Sequence, residues 1–208
     1  DTREKIVSVA ERLFAERGFE ATSMRDITDE AEVNLASVNY HFGSKEGLLK
    51  EIHRRRIEPM NRKRLELLDG FRKEAEDGAI PLEKIFSAFL RPFFETGAPG
   101  GRHDLVFARL LGRTFAEDPR YMKAIYEEFF VHIQAAFVGA LRDSLPELSP
   151  ADIHWRFYFS LNLMLASMTQ LQRLNYASDG HCDPEKIDDM IERLIDFICA
   201  GFRTEPRS

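Results

Sequence analysis

Apolar residues recur along most of this chain at intervals of three and four positions, which is the spacing of an amphipathic α-helix. The first stripe consists of Ile6, Val9, Ala10, Leu13 and Phe14. Gly18 follows it, at a place where a glycine often ends a helix. We therefore predict a first helix from Thr2 to Arg17, with Phe19 entering the core behind it.

Later helices are indicated by proline and capping residues as well as by apolar spacing. Helix starts are indicated at Pro81, Asp118-Pro119, Ser149-Pro150 and Asp183-Pro184. Proline is tolerated there because the first turn of a helix has no use for its missing N–H. Residues 97–101, Gly-Ala-Pro-Gly-Gly, form the clearest predicted loop. No segment alternates apolar and polar residues as a strand does, so the fold is predicted to be all-α.

Residues 23–49 are predicted to form two short helices joined by a tight turn, followed at once by a longer helix. Ser23 can cap the first helix, and Asp26, three residues later, can complete a capping box. The chain must turn within residues 32–34, where Asn34 can cap the second helix, residues 35–42. That second helix is too short to be stable without its neighbours.

The second short helix is also polar on one side. It carries Ser37, Asn39, Tyr40 and His41, with Lys45 just beyond it, and no carboxylate occurs between Val33 and Lys45. A short helix of this composition suits insertion into the major groove of DNA. An ordinary helical hairpin with a solvated polar face has the same periodicity. The spacing alone leaves both interpretations open.

The same segment resembles the DNA-binding part of the TetR family of bacterial transcriptional regulators. The matching positions are Arg25-Asp26-Ile27, Ala31, Val33, Val38-Asn39-Tyr40-His41-Phe42, Ser44-Lys45 and Leu48-Leu49. One departure is Glu32, because the family commonly has glycine at the turn, and a glutamate there must adopt the end-of-helix conformation at some steric cost. The resemblance implies an N-terminal three-helix helix-turn-helix domain of residues 1–47. A larger helical domain of residues 48–208 would bind an effector and dimerise.

The resemblance also implies roles for single residues at DNA. Arg25, Ser37 and Asn39 would reach base edges, and Leu35 and Ala36 would contact a thymine methyl. Phosphates would be held by Ser23, Tyr40, His41 and Lys45. The implied function is a ligand-responsive regulator, expected to be a repressor, that binds a pseudo-palindromic site on double-stranded DNA as a homodimer.

Charge does not favour DNA binding by itself. The chain has a net charge of −6, and residues 1–56 hold 10 Lys and Arg against 11 Asp and Glu. The run Arg54, Arg55 and Arg56 lies in the helix that begins near Ser44. We expect this run to form salt bridges with acids of neighbouring helices, and Pro59 to end or kink that helix.

Surplus apolar surface near the C-terminus predicts a partner. The helix predicted from about Pro150 to Tyr176 has two apolar stripes, so it must be buried on nearly all sides. The apolar face of the final helix is also wider than a single stripe. We predict a homodimer through these two helices with an interface of Phe157, Leu161, Met164, Met168, Ile191, Leu194 and Ile198. A fully packed monomer core is the alternative.

Phenylalanine is abundant in the middle of the chain, where it can fill a dry core or line an apolar pocket. We predict a pocket lined by Phe89, Phe93, Phe107, Arg109, Leu111, Phe130, Trp155, Phe159 and Leu163. Arg109 or Arg113 could bind an acidic head group, or could pair with acids at the surface. The segments 109–112 and 155–157 are similar to those of TetR-type regulators that respond to long-chain fatty acids. An elongated apolar effector, a fatty acid or acyl-CoA, is therefore a hypothesis.

Other chemistry is not indicated. Cys182 and Cys199 are predicted to be free thiols of a reducing compartment. No histidine pair, phosphate loop or nucleophile elbow is present, so we predict no metal, no cofactor and no enzymatic activity. No apolar run reaches transmembrane length and no leader precedes the first helix, so a cytoplasmic protein without membrane contact is expected. A helical enzyme with an apolar active site and a pure interaction scaffold are the rival classes.

Overall fold

A computed structural model describes residues 1–76, 78–95, 105–116, 119–183 and 185–205. Within these ranges every regular element is an α-helix, which confirms the all-α prediction. The helices are α1 Thr2–Arg17, α2 Met24–Ala31, α3 Leu35–Phe42, α4 Lys45–Glu74, α5 Leu82–Glu95, α6 Leu105–Ala116, α7 Pro119–Phe129, α8 Val131–Ser144, α9 Pro150–Thr169, α10 Leu171–Ala177 and α11 Ile187–Phe202. The predicted loop at 97–101, Asp118 and Pro184 lie outside the described residues.

The chain packs as two compact units, and the first consists of Asp1–Pro59 with Asp104–Phe130. Helix α1 packs against α2, α3 and α6. Four residues of its predicted stripe, Ile6, Ala10, Leu13 and Phe14, are inaccessible to solvent, whereas Val9 is half-buried and Val7 is buried instead. Helices α6 and α7 join this unit although they come much later in the sequence. The structure thus gives α1 a further packing partner, α6, that local patterning does not indicate.

The second unit consists of Met60–His103 and Val131–Ser208. Helix α11 packs against α5 and α9, and α8 packs against the same two helices. Aromatic rings fill the centre: the Phe89 ring centroid lies 5.0 Å from that of Phe137 and 5.1 Å from that of Phe157. The two packing units do not coincide with the division after residue 47, which stays a prediction.

Pro59 lies inside α4, a continuous helix of 30 residues, so it does not end the helix, and the predicted alternative of a kink stays a prediction. An interior proline removes one backbone hydrogen bond and costs about 3 kcal/mol. Buried Ile57 and Met60 stand on either side of it. Tertiary packing of these side chains offsets the local cost.

The last two predicted helices also differ from the structure. Ser149 caps α9 with Pro150 in the first turn, as predicted. However, α9 ends at Thr169 and α10 starts at Leu171, because the backbone of Gln170 is not helical. The sequence concealed this break, since apolar residues continue across it in register. Helix α11 starts at Ile187 rather than at 183–184.

Both cysteines are free, as predicted. Cys199 is fully buried, and burial raises the pKa of its thiol to about 12. None of the helices that the structure describes is both long enough and apolar enough to cross a bilayer.

Candidate nucleic-acid interface

The first turn of α2 is fixed by reciprocal hydrogen bonds between Ser23 and Asp26. The Asp26 backbone N–H donates to Ser23 Oγ at 3.1 Å, and the Ser23 N–H donates to Asp26 Oδ2 at 2.7 Å. This is the predicted capping box. The bonds from Ser23 hold the pKa of the Asp26 carboxyl below its ordinary value. Arg25, between the two, is exposed at the beginning of the helix.

The turn between α2 and α3 passes through Glu32, whose backbone is left-handed with φ 52° and ψ 45°. A residue with a Cβ adopts this conformation at a cost of about 1–2 kcal/mol. The prediction that Glu32 takes the end-of-helix conformation at a steric cost is therefore confirmed. The Val33 N–H donates to the carbonyl of Thr28 at 3.0 Å. Lys5 Nζ donates to Glu32 Oε2 at 2.7 Å, which ties the turn to α1.

Helix α3 begins at a side-chain cap and has one buried side. Asn34 Oδ1 accepts from the Ser37 N–H at 2.7 Å and from the Ser37 hydroxyl at 2.9 Å. Val38 is fully buried and anchors the inner side of the helix. The opposite side is polar and open to solvent, and Tyr40 is 86% exposed. Helix α3, held by its Asn34 cap and by buried Val38, therefore presents polar side chains to solvent.

The connection from α3 to α4 depends on a close approach of the two helices. Gly43 has a φ of 75°, in the region that favours glycine. A Cβ on Gly47 would lie 2.1 Å from the carbonyl oxygen of Phe42. Only glycine fits at residue 47 without a backbone shift. The C-terminal end of α3 is thus held directly against the first turn of α4.

Lys45, predicted to contact a phosphate, makes contacts within the fold. Its Nζ donates to the carbonyls of Phe19 at 2.9 Å and Thr22 at 3.0 Å, and it lies 4.2 Å from the centroid of the Phe19 ring. These contacts turn the ammonium group inward, onto the loop between α1 and α2. The phosphate assignment of Lys45 stays a prediction, and the sequence could not show that two carbonyls lie within reach of its ammonium group.

Replacing Lys45 with Met tests these contacts. The variant retains the contact with Phe19 but leaves two carbonyls without a donor, so we expect the free energy of unfolding to fall by about 1–3 kcal/mol. Urea denaturation measures the loss. For DNA that the protein binds, the slope of log affinity against log salt concentration should stay unchanged. A slope reduced by one unit with unchanged stability would support the phosphate contact.

The run Arg54, Arg55 and Arg56 forms salt bridges with neighbouring helices, as predicted. Arg54 Nη2 donates to Glu128 of α7 at 2.9 Å. Arg55 Nη1 donates to Glu4 of α1 at 2.7 Å. Arg56 binds the nearly buried carboxylate of Glu11 through Nε at 2.8 Å and Nη2 at 3.0 Å. These cations position α4 against α1 and α7.

The remaining predicted DNA-contact residues lie on α2 and α3 of the first unit. Those with exposed side chains are Ser23, Arg25, Leu35, Ala36, Asn39, Tyr40 and His41. Ser37 is half-buried, and its hydroxyl proton is directed to Asn34. The structure is compatible with all these assignments, which stay predictions.

Most of the residues predicted for the dimer interface are buried within a single copy of the chain, and the interface itself stays a prediction. Phe157, Met164, Met168, Ile191, Leu194 and Ile198 are buried, and Leu161 is half-buried. The exposed side of α9 is the other stripe. There Trp155 is 61% exposed and Phe159 55%, with Tyr158 beside them. Phe197 of α11 is 68% exposed. Tyr158 and Phe197 were missed because they stand outside the main apolar stripes.

The predicted pocket is not brought together within either unit. Phe107, Arg109, Leu111 and Phe130 belong to the first unit, and the other five residues belong to the second. Trp155 and Phe159 are exposed, while Phe89 and Phe93 are core residues and Leu163 is half-buried. Arg113 Nη2 donates to the backbone carbonyl of Glu16.

The second unit contains a groove that is lined by residues other than the predicted pocket residues. Its volume is about 510 Å³, and its lining includes Leu171, Leu174, Lys186, Met190 and Phe197. Neither Trp155 nor Phe159 belongs to this lining. It lies beside α10 and α11, where no pocket was predicted.

Two family models match this chain. Bacterial regulatory proteins of the tetR family match residues 6–52, and the Tetracyclin repressor-like C-terminal domain matches residues 87–201. The second model alone covers more than half of the chain. Together they include the capped turn, the exposed side of α3 and most of the second unit.

Curated relatives and solved structures agree with these models. The HTH-type transcriptional repressor KstR2 of Mycolicibacterium smegmatis is 32% identical over 91 residues, which are 44% of this chain and 41% of that protein. The probable HTH-type transcriptional regulator YttP of Bacillus subtilis is 41% identical over 51 residues, 24% of this chain and 25% of that protein. The chain thus spans less than half the length of these relatives.

Among solved structures, Mycobacterium smegmatis AmtR has a TM-score of 0.61 at 21% identity and covers 99% of this chain and 88% of its own. HlyIIR, a hemolysin II transcriptional regulator, has a TM-score of 0.58 at 21% identity, with 94% and 96% covered. At this identity the structures show a shared fold. With the two family models, they establish that the chain belongs to the tetR family of bacterial regulatory proteins.

Proposed function

We propose that the chain is a dimeric DNA-binding transcriptional regulator, a repressor that an apolar small molecule releases from a pseudo-palindromic operator. One observation carries the proposal: a short helix anchored by buried Val38 presents Asn39, Tyr40 and His41 to solvent. Membership of the tetR family supports DNA binding. The repressor names of the KstR2 relatives support the sign of regulation. The proposal includes no catalytic activity and no cofactor.

At DNA, the exposed sides of α2 and α3 would enter one major groove. Base edges would be read by Arg25, Ser37 and Asn39, and thymine methyls by Leu35 and Ala36. Ser23, Tyr40 and His41 would bind phosphates and fix the register. The negative net charge does not oppose this, since Glu11 is bound to Arg56 and Glu32 to Lys5. The segment 34–44 carries no carboxylate of its own.

A second copy of the chain is the proposed occupant of the exposed aromatic surface, defined as Trp155, Tyr158, Phe159 and Phe197. The rings of Trp155 and Phe159 stack with centroids 5.8 Å apart. Neighbouring exposed rings such as those of Trp155, Tyr158 and Phe159 are typical of an interaction site, and Phe197 is a further exposed ring on α11. Helices α9 and α11 pack together within the second unit, so a two-fold contact through both would close a four-helix arrangement.

The effector is proposed to change the separation of the two α3 helices in the dimer. It can do so only to the extent that its affinity differs between the DNA-bound and the released arrangement. A fatty acid or an acyl-CoA remains the candidate that the sequence suggested. Calorimetry with both compounds tests this candidate. If neither compound gives a heat of binding, fatty acids and acyl-CoAs are excluded as effectors.

Selection from a random-sequence DNA pool tests the proposed function as a whole. We expect the retained sequences to share a pseudo-palindrome whose half-sites are centred about one helical turn or more apart. Retention without any shared sequence, or no retention, would contradict sequence-specific regulation. Adding candidate lipids to the same selection tests release.

Replacing Asn39 with Ala tests the base-reading assignment. Loss of a bidentate contact should reduce discrimination at one base pair of each half-site by about 1–3 kcal/mol, while other positions keep their preference. Fluorescence anisotropy with single-base variants of the selected site measures this. Tyr40→Phe is the control, since loss of a phosphate contact weakens all sequences equally. A uniform loss for Asn39→Ala would refute its role.

A further inference from the structure

Arg64 of α4 is the largest fully buried side chain among the described residues, with 1% of it exposed, and it lies in the second unit. A buried cation is unfavourable unless an anion and hydrogen bonds compensate for its lost hydration. Burial lowers the pKa of the Arg64 guanidinium to about 9, which still leaves it charged at neutral pH. The charge is therefore present in the core and needs compensation.

The contacts of Arg64 do not supply an anion. Its Nε donates to the carbonyl of Phe89 at 2.8 Å, which is a good hydrogen bond. Nη1 donates to Asn61 Oδ1 at 3.3 Å, and Nη2 faces Met164 Sδ at 3.6 Å. A thioether is a weak acceptor. Across the described part of the chain, no carboxylate forms an ion pair with Arg64.

A guanidinium group has five N–H donors in a planar fork. Three of them have the partners just named, and two of these three contacts are long or weak. Leaving such donors buried and poorly bonded is costly. The Nη side of the fork, which faces Met164, is thus the poorly compensated side. A planar carboxylate matches this fork with two parallel hydrogen bonds.

The surroundings of the fork are apolar and aromatic. The guanidinium carbon lies 4.2 Å from the centroid of the Phe89 ring, which in turn packs against Phe137 and Phe157. Met164 is buried beside them. Ligand sites are typically apolar walls with one or two polar anchors. Methionine is unbranched and adaptable, so Met164 can withdraw more readily than a branched or aromatic side chain.

We propose that Arg64 anchors the carboxylate of a predominantly apolar effector, which replaces the Met164 sulfur at the Nη side of the guanidinium. The apolar body of the effector would displace the mutual contacts of Phe89, Phe137 and Phe157, whose rings pack against one another without it. The inference rests on the proposed ligand response, and it narrows the effector to a free acid. An acyl-CoA has no free carboxylate at the acyl end and does not meet this requirement. In this proposal Arg64 binds the acidic group of the effector, the role that the sequence suggested for Arg109 or Arg113.

Calorimetry on the full chain tests the proposal with two acids, dodecanoate and cyclohexanecarboxylate, each beside its matched alcohol. We expect at least one acid to bind about 10- to 100-fold more tightly than its alcohol, the ratio that hydrogen bonds to a charged group provide. Equal binding of acid and alcohol, or no binding of either acid, would overturn the proposal.

Two variants locate the effect. Arg64→Gln should remove the preference for the acid, and Arg64→Lys should retain part of it because the charge remains. If both fail to fold, Met164→Ala keeps the proposal testable. Removal of the sulfur should increase the affinity for the acid more than the affinity for the alcohol. An unchanged ratio of the two affinities in Met164→Ala would count against the anchor.

DNA binding by the same proteins separates this inference from the proposed function. An acid that binds through Arg64 without altering affinity for the selected DNA would leave the anchor intact and contradict effector-controlled release. Tight and sequence-specific DNA binding with no preference for acids would contradict the anchor alone.

Discussion

Replacing Phe159 with Glu is expected to separate the proposed dimer and to weaken binding to the full pseudo-palindromic site by about 100- to 10,000-fold. Phe159 is 55% exposed, belongs to the exposed aromatic surface and stacks on Trp155. A carboxylate there would have to be buried unpaired in the contact between two copies. Each separated copy would then hold only one half-site, and the gain from simultaneous binding would be lost.

Sedimentation and anisotropy measure the two consequences for Phe159→Glu. The control is Leu65→Glu, which places the same charge at another exposed apolar residue of the second unit, on α4. Affinity for an isolated half-site should be equal in both variants, because α3 is untouched. A dimeric Phe159→Glu protein with full operator affinity would show that the copies associate elsewhere.

Lowering the pH from about 6.5 to about 4 is expected to destabilise the fold by on the order of 3 kcal/mol through His53 alone. His53 is fully buried in the first unit, and burial lowers the pKa of its imidazole to about 4 from 6.5. Between these two values the unfolded chain binds a proton that the folded chain does not bind. Stability therefore rises with pH across this window and is fully present above it.

Hydrogen bonds hold the neutral ring in one tautomer. His53 Nδ1 lies 2.9 Å from the carbonyl of Leu49, so this nitrogen carries the proton. Nε2 lies 3.2 Å from the hydroxyl of Thr114 on α6. That hydroxyl is also 2.9 Å from the carbonyl of Leu110, and its single proton can serve one of the two acceptors.

Urea denaturation at a series of pH values checks the prediction, with His53→Gln as the matched variant. Glutamine is neutral throughout this range. The free energy of unfolding of His53→Gln should therefore rise less steeply between pH 4 and 6.5, and the difference in slope corresponds to the binding of one proton. All other titrating groups are common to both proteins and cancel in the difference. Parallel curves would mean that His53 is not held neutral.

Local chemistry made much of the first unit predictable. Ser23 with Asp26, and Asn34 with the start of α3, are interactions over three residues, so their patterns are complete within a short stretch of sequence. The strain at Glu32 followed from its place in the turn. The salt bridges of Arg54, Arg55 and Arg56 were expected in kind, while their partners Glu128, Glu4 and Glu11 were not.

The second unit was harder because α9 is apolar on almost every side. Periodicity shows that such a helix has two apolar stripes, but it does not show which stripe its own subunit covers. In the structure Phe157 and Met164 are buried, and Trp155 and Phe159 are exposed. The sequence did contain a signal for Arg64, which stands four residues after Met60 and four before Leu68 on the buried stripe of α4.

By itself, the sequence determined the helical class, the capped turn before α3 and the polar composition of α3, because these depend on residues a few positions apart. The tertiary structure alone decided that Lys45 turns inward to two carbonyls, that Arg64 is enclosed by aromatic rings, and which side of α9 stays open. These outcomes depend on residues brought together from distant parts of the chain. A side chain's partners at that range are set by how the helices pack, which local spacing does not encode.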